Sequence, residues 1–165
     1  MNLKDYIRDI PDFPQKGILF RDISPLLKNP QALRFVSEEF AKSCDLQSVD
    51  AFVGVESRGF ILAGYLAAHH KKGFIPLRKA GKLPPPVVSE SYELEYGKAT
   101  LEMTPGMGRV MILDDVLATG GTLQAGINIC ERAGYHVEQV GVLINLTFLN
   151  QMKFRGQNVF SLVQY

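Results

Sequence analysis

Two adjacent carboxylates, Asp114 and Asp115, follow the apolar segment Val110 to Leu113 and precede the turn Ala118-Thr-Gly-Gly-Thr122. The apolar segment is typical of a parallel strand covered on both faces. We expect the carboxylates where that strand ends, the edge at which open α/β sheets bind ligands. There they can accept hydrogen bonds from vicinal hydroxyls, while the turn offers backbone N–H groups and two hydroxyls to an anion, with a helix N-terminus behind them. The motif predicts a site for a ribose 5-phosphate.

A second loop, Gly54-Val-Glu-Ser-Arg-Gly59, follows another apolar segment and opens a helix, so it faces the same rim. Its glycine spacing resembles a P-loop, but Phe60 and Ile61 stand where the lysine and the Mg²⁺-binding hydroxyl are required. A serine hydrolase is disfavoured because the first glycine of a nucleophile elbow is missing. Arg58 supplies a planar donor fork and Gly59 permits close backbone approach, which favours a diphosphate-binding loop.

Three cations, Arg78, Lys79 and Lys82, lie close together after a further apolar segment. A solvated charged turn would show the same pattern. The net charge of the chain is only +1, however, so a polyanionic ligand would need a local cluster of this kind together with Arg58 and a divalent cation. Mg²⁺ suits that role because it prefers substrate phosphates and water to a cage of protein ligands.

Alternating helices and strands must position these groups, and their pattern predicts an α/β fold with a mostly parallel sheet. The spacing of Leu3, Ile7 and Ile10 predicts a short N-terminal helix that Pro11 ends, and Asn29-Pro30 predicts the start of a second helix. The predicted strands are 51–55, 74–77, 110–113, 140–145 and 159–163. Further predicted helices are 60–70, with Phe60, Ala63 and Ala67 inward and Gly73 as its C-cap, and a helix through Leu123, Ile127 and Cys130 that Gly134 closes. Residues 82–106 break the alternation and predict an exposed hairpin or lid.

Length and composition set the broad class. With 165 residues the chain is expected to form one domain, 1–165. A net charge of +1 gives no global field that would attract nucleic acid or an anionic membrane. Cys44 and Cys130 fall in predicted helices, without metal or disulfide spacing, and indicate thiols of a reducing compartment. The charged N-terminal segment lacks the apolar core of a signal peptide, and no segment is long enough to span a bilayer, so we expect a cytoplasmic protein.

The motifs, in their order and over nearly the whole chain, are similar to those of the type I phosphoribosyltransferase family. Phe20-Arg-Asp-Ile-Ser-Pro25 and Leu94-Glu-Tyr-Gly97 resemble its adenine-specific branch in particular. The resembling segments are residues 13–25, 54–60, 78–84, 92–97, 114–122 and 160–165. The resemblance implies a three-layer α/β fold with a mostly parallel central sheet, flanking helices, a small hood and a hairpin lid. One departure is that the connection from Glu102 to Arg109 is several residues shorter than usual, which concerns the length of the lid.

The resemblance also implies an activity: transfer of 5-phosphoribosyl from 5-phospho-α-D-ribose 1-diphosphate to N9 of adenine, giving AMP and diphosphate in purine salvage. It assigns Asp114, Asp115, Ala118, Thr119, Gly120, Gly121 and Thr122 to the ribose and its 5-phosphate. It assigns Glu56, Ser57, Arg58, Gly59, Arg78, Lys79 and Lys82 to the diphosphate. The base site comprises Phe20 and Leu146 on the two faces of the purine, with backbone groups of Leu19 and Arg21 at its edge. Glu95, Tyr96 and Arg58 are the implied catalytic residues, Mg²⁺ is held mainly by substrate and water rather than by direct protein ligands, and the enzyme is a homodimer.

Two alternatives share the phosphate-binding features. A phosphoribosyltransferase for hypoxanthine, guanine or xanthine would differ only in its base segment. A non-catalytic regulator that senses the same phosphosugar would be expected to carry a DNA-binding extension, and few residues precede Pro11 here.

Overall fold

The structure, a computed structural model, describes residues 1–94 and 97–165. The strands are β1 (Arg8–Pro11), β2 (Leu19–Asp22), β3 (Ala51–Val55), β4 (Gly73–Lys79), β5 (Val88–Glu93), β6 (Lys98–Met103), β7 (Gly108–Leu117), β8 (Tyr135–Asn145), β9 (Lys153–Phe154), β10 (Gln157–Asn158) and β11 (Phe160–Gln164). The helices are α1 (Ser24–Lys28), α2 (Pro30–Lys42), α3 (Arg58–His70) and α4 (Gly121–Arg132), with short 3₁₀ turns at Leu3–Tyr6 and Leu46–Ser48.

The described residues form a seven-stranded central sheet in the order β11-β8-β7-β3-β4-β6-β5. The first five strands of that order are parallel, and β6 and β5 are antiparallel additions at one edge. Adjacent residues of β3 point to opposite faces, so Phe52 packs with α2 and α3 while Val53 packs with α4. The predicted α/β fold with a mostly parallel sheet between two helical layers is confirmed. A separate two-stranded sheet of β1 and β2 corresponds to the expected hood.

The sequence patterns placed most elements correctly, and the exceptions are few. The predicted N-terminal helix is a single 3₁₀ turn, after which Ile10 and Pro11 belong to β1 and pair with β2. Cys44 lies just beyond α2 rather than within a helix. Helix α3 ends at His70, Lys71 with a φ of 55° is its C-cap, and Gly73 instead begins β4. Phe60 is only half-buried, its ring 5.7 Å from that of Phe74.

The predicted hairpin within residues 82–106 is present as β5 and β6, but it is less exposed than expected. Its base extends the central sheet, where Arg78 and Lys79 of β4 pair with β6. Leu101 and Met103 of β6 are 2% and 0% exposed, and they belong to the core on the α4 side. The hairpin is therefore anchored at its base as part of the sheet.

The two cysteines carry no disulfide. Burial raises the pKa of the Cys130 thiol to about 12, and burial also raises the pKa of the half-buried Cys44 thiol. Both remain protonated at neutral pH. Within the described part of the chain, no helix is long and apolar enough to cross a membrane.

Candidate active site

The carboxylates of Asp114 and Asp115 lie inside β7 rather than beyond its end, which corrects the expectation from sequence. β7 pairs with β3 only as far as Leu113 and then continues to Leu117 paired with β8 alone. The pair therefore lies directly after the last residue of β7 that pairs with β3. The two residues are 9% and 6% exposed. Desolvation raises the pKa of both carboxyls, and for Asp114 the neighbouring charge of Asp115 raises it further.

Arg58, at the first position of α3, is the cation that faces this pair. Its Nε lies 2.7 Å from Asp115 Oδ2, and its charge lowers the pKa of both carboxyls against the effect of burial. None of the described residues donates a hydrogen bond to Asp115 Oδ2 in good geometry. That buried oxygen is therefore suited to accept one from a ligand hydroxyl.

Gly59 explains how α3 can begin so close to β7. A Cβ atom at this position would lie 2.8 Å from the carbonyl oxygen of Leu113 and 3.1 Å from Asp114 Oδ1. Such distances are below van der Waals contact, so any side chain would push the two elements apart. Glycine is needed here for the close approach of α3 to β7, whereas the predicted approach of the Gly59 backbone to a diphosphate stays a prediction.

The turn from Ala118 to Thr122 forms a cradle beside Asp114. Gly120 has a φ of 96°, a left-handed conformation that glycine adopts without strain, and it precedes the first residue of α4. No described side chain caps this helix, so its first-turn N–H groups remain available to an anion. The cavity in front of them has a volume of about 80 Å³ and is lined by Asp114, Val116, Leu117, Ala118, Thr119, Gly120, Thr122 and Leu123. The geometry matches a phosphate group next to a sugar hydroxyl.

The predicted diphosphate residues form a second cluster, centred on Glu56. Lys82 Nζ lies 2.5 Å from Glu56 Oε1, and the Lys79 amide donates to Oε2 at 2.8 Å. Arg78 Nε lies 3.4 Å from the same Oε2. Burial raises the pKa of Glu56, but these donors outweigh it and hold the pKa at about 2. Glu56 is thus ionised and holds the cations of β4 and the following turn together. Ser57 and Arg58 continue the loop, and the Glu56–Ser57 peptide bond is cis.

The base segment lies against Arg58. The guanidinium carbon of Arg58 is 4.7 Å from the centroid of the Phe20 ring, and its Nη1 donates to the Arg21 carbonyl at 3.4 Å. Phe13 also packs edge to face with Phe20, with ring centroids 5.0 Å apart. Arg58 is therefore the residue that joins the carboxylate pair to the predicted base platform.

Tyr165 connects that platform to Leu146, the predicted opposite wall. The Arg21 guanidinium stacks on the Tyr165 ring at 3.7 Å. The Tyr165 carbonyl accepts from the amide of Thr147 at 3.0 Å. The Tyr165 amide donates to the Asn145 carbonyl at 3.1 Å. Both segments predicted to bind the base are therefore anchored to one residue, Tyr165, which the sequence analysis included in a resembling segment but did not assign to the site.

Comparison with known proteins decides the family. The model of the phosphoribosyl transferase domain matches residues 23–146. The adenine phosphoribosyltransferase of Bdellovibrio bacteriovorus is 64% identical over 165 residues, which cover 100% of both chains. The chain belongs to the adenine phosphoribosyltransferase family. A relative of that name from Thermosipho melanesiensis is 48% identical over 170 residues, covering 100% of this chain and 97% of its own.

Solved structures of the family share the fold. The adenine phosphoribosyltransferase of Rhodothermus marinus has a TM-score of 0.88 at 46% identity and covers 99% of this chain and 96% of its own. The enzyme of Giardia lamblia, solved with 9-deazaadenine, has a TM-score of 0.87 at 37% identity with the same coverage. The type I phosphoribosyltransferase fold expected from the sequence is confirmed.

The two remaining catalytic predictions, Glu95 and Tyr96, lie outside the described residues. The end of β5, which precedes these two residues, contacts the first residues of α4. A Cβ placed on Gly121 would lie 3.6 Å from Tyr92 Cδ2 and 3.8 Å from the Glu93 carbonyl oxygen. The Thr122 hydroxyl donates to the Tyr92 hydroxyl at 3.1 Å. The hairpin thus reaches the phosphate cradle, a contact that strand alternation alone did not reveal.

Proposed function

We propose that the protein transfers the 5-phosphoribosyl group of 5-phospho-α-D-ribose 1-diphosphate to N9 of adenine, releasing AMP and diphosphate. The observation that carries the proposal is the position of Arg58, which contacts Asp115 on one side and Phe20 on the other. A nucleotide carries a hydroxylated sugar and a flat base together, and it can therefore span these contacts. That arrangement matches the two ends of the bond that the reaction forms.

Each part of the site has a role in the transfer. Asp114 and Asp115 accept hydrogen bonds from the ribose hydroxyls, and residues 118–122 hold the 5-phosphate. Arg58, Arg78, Lys79 and Lys82 stabilise the diphosphate as it leaves C1, while N9 of adenine forms the new bond. Ser57 and Gly59 contribute backbone to the same loop, and Glu56 orients its cations. The proton of the purine passes to Glu95, with Tyr96 beside it.

Backbone groups of β2 are proposed to select the base. Pro11 lies opposite Leu19 in the β1–β2 sheet, and because proline has no N–H it cannot donate to the Leu19 carbonyl. In this proposal the Leu19 carbonyl accepts from the N6 amino group of adenine, with the base between Phe20 and Leu146. A 6-oxopurine presents an acceptor at the same position and would leave two acceptors facing each other.

Mg²⁺ is proposed as the cofactor. The two buried carboxylates are hard oxygen groups of the kind it accepts, although Asp115 Oδ2 already pairs with Arg58 Nε at 2.7 Å. Residues 1–94 and 97–165 contain no group of three or more His, Cys, Asp or Glu side chains that could hold a metal ion. The cation is therefore proposed to be held mainly by the substrate and water. When bound, it would neutralise charge on the diphosphate.

A homodimer is proposed as the working assembly, supported by apolar side chains on α3 and β4. Ile61 and Phe74 are 46% and 41% exposed although these two elements pack together. Light scattering should give a mass of two chains, and Ile61→Glu should shift it to one. A wild-type mass of one chain would contradict the assembly.

We also propose a cytoplasmic location, which the two free thiols support.

The transfer reaction is tested by measuring diphosphate release with adenine, hypoxanthine, guanine and xanthine as acceptors. Adenine should be used at least ~100-fold better than the 6-oxopurines. A preference for another base would contradict the proposed base, and absence of turnover with all four would indicate a binding protein.

In the same assay Glu95→Gln should slow turnover about 10²- to 10⁴-fold while the donor still binds. Unchanged turnover would remove Glu95 from the mechanism.

A further inference from the structure

The side chain of Asn150 bridges two parts of the site that are far apart in sequence. Its Nδ2 donates to the Ala118 carbonyl at 2.8 Å and to the Leu146 carbonyl at 3.0 Å. It also lies 3.1 Å from Asn145 Oδ1. Ala118 begins the phosphate cradle, and Leu146 is the proposed wall of the base site. One carboxamide thus connects the groups that bind the two ends of the nucleotide product.

The orientation of this carboxamide is fixed by its other end. Asn150 Oδ1 accepts from the Met152 amide at 3.1 Å, so Nδ2 must face the three oxygens. A primary amide has two N–H donors and cannot be replaced here by an acceptor. Asn145 is only 8% exposed, and its Oδ1 also depends on this donor. The position therefore requires a donor of this size and shape.

We propose that Asn150 is a positioning residue that sets the separation between the 5-phosphate cradle and the base wall. It touches neither substrate in this arrangement but holds the two carbonyls in register. Displacement of a binding group by even 1 Å can cost far more than the contact that is lost. Removing Asn150 should therefore weaken both substrates together. The proposal rests on the proposed transfer reaction, because its measured quantities are the KM values for the donor and for adenine.

Two substitutions that keep nearly the same side-chain size test whether the hydrogen-bond donor of Asn150, rather than its volume, is required. Asn150→Leu removes the donor without adding charge, and it should raise both KM values about 3- to 10-fold, the usual effect of a lost hydrogen bond. Asn150→Asp places a carboxylate against three acceptor oxygens and should have a larger effect. Protonation restores one donor, so the defect of Asn150→Asp relative to wild type should shrink as the pH falls. Lys153, which lines the adjacent cavity of about 280 Å³, opposes protonation and moves this recovery to lower pH.

Asn158→Asp is the matched control, because it makes the same chemical change at an exposed position lining the same cavity. Its KM values should equal those of wild type at every pH. KM does not depend on the fraction of enzyme that is folded, so a purely structural defect would lower the rate and leave both KM values in place.

Several results would overturn the proposal: unchanged KM values in Asn150→Leu, a rise in only one of them, or a defect in Asn150→Asp that does not vary with pH. If Asn150→Asp does not fold, Asn150→Leu decides alone by the same criterion. Wild-type turnover of adenine is measured in parallel. Its absence would reject the proposed reaction, whereas a negative result for the variants with an active wild type rejects only the role of Asn150.

Discussion

Arg58 Nε lies 2.7 Å from Asp115 Oδ2 across the gap between α3 and β7. This contact joins the loop proposed to hold the diphosphate to the carboxylates proposed to hold the ribose. It compensates only part of the cost of burial, because desolvation still raises the pKa of both Asp114 and Asp115. The ligand-free protein therefore carries an electrostatic cost at the position where a substrate would bind.

Asp114→Asn should stabilise the ligand-free protein and inactivate it. A carboxyl whose folded pKa is raised contributes stability below its unfolded pKa, and that contribution is lost as the pH rises through the folded pKa. At pH values above the folded pKa, removing the charge should therefore raise the free energy of unfolding by about 0.5–2 kcal/mol relative to wild type, and the difference should vanish in acid. Turnover should fall at least ~100-fold. Thermal melts and initial rates measure both, and a lower melting temperature would contradict the argument.

Asp50→Asn is the control for Asp114→Asn, because the pKa of Asp50 is lowered rather than raised and the effect on stability should have the opposite sign. Asp50 accepts hydrogen bonds from the Arg109 side chain and amide, which lower its pKa to about 2 from an ordinary value of 3.8. A lowered folded pKa stabilises the protein above the unfolded pKa, and this stability is lost as the pH falls towards 2. At pH 7 the variant should therefore melt below wild type, the difference should vanish in acid, and turnover should be unchanged.

Arg58→Gln should shift the acid side of the pH profile. The Arg58 charge lowers the pKa of both carboxyls, and without it their pKa values rise further. Because the ribose hydroxyls need ionised acceptors, the acid limb of kcat/KM for the phosphoribosyl donor should move to higher pH. Arg78→Gln removes an equal charge beside Glu56 and should lower the activity without moving this limb. Equal shifts in the two variants would contradict the assignment to the carboxylate pair.

Local pattern was sufficient where strand, loop and helix are contiguous. β3 with α3 and β7 with α4 each combine a continuous apolar segment with small residues at the turn, so the loops proposed to bind phosphate could be placed from the sequence. Their meeting at one rim followed from the parallel topology. The same reasoning ended β7 too early, because it assumed that a strand stops where its polar residues begin. β8 continues to pair with β7 through Leu117 and so keeps Asp114 and Asp115 within the strand.

Non-local pairing explains the other differences. The spacing of Leu3, Ile7 and Ile10 fits a helix, yet Ile10 pairs with Phe20 in a sheet that no local pattern reveals. Asn150 lies four residues after Leu146 without a sequence signal of its own, because its proposed role depends on three oxygens that only folding brings together. The contact between Tyr92 and Thr122 is hidden for the same reason. The sequence therefore indicated the groups proposed to bind ligands but not the residues that hold those groups in place.

Gly59→Ala should uncouple α3 from the carboxylate pair. The added Cβ would lie 2.8 Å from the Leu113 carbonyl oxygen, so the start of α3 must move and carry Arg58 away from Asp115. Overpacking of this kind costs about 1–3 kcal/mol of stability, and kcat/KM for the donor should fall at least ~10-fold. Denaturant unfolding and initial rates measure the two effects.

Gly64→Ala tests the same substitution in the same helix. No described atom lies within 4 Å of a Cβ at this position. The change should therefore stabilise the protein by about 0.5–1 kcal/mol through helix propensity and leave turnover unchanged. If Gly59→Ala behaved like Gly64→Ala, the close approach at Gly59 would have no functional consequence.

Tyr92→Phe should weaken binding of the phosphoribosyl donor but not of adenine. The Thr122 hydroxyl donates to the Tyr92 hydroxyl at 3.1 Å, which fixes one wall of the phosphate cradle and holds the hairpin against α4. Loss of this hydrogen bond should raise the KM for the donor about 3- to 10-fold, with the KM for adenine unchanged. Tyr135→Phe is the control, since it removes a hydroxyl that donates to Thr104 at 3.3 Å, beyond the opposite end of the hairpin. Initial rates at varied donor concentration distinguish the variants: a similar KM in both would mean that the hairpin does not support the cradle through Tyr92.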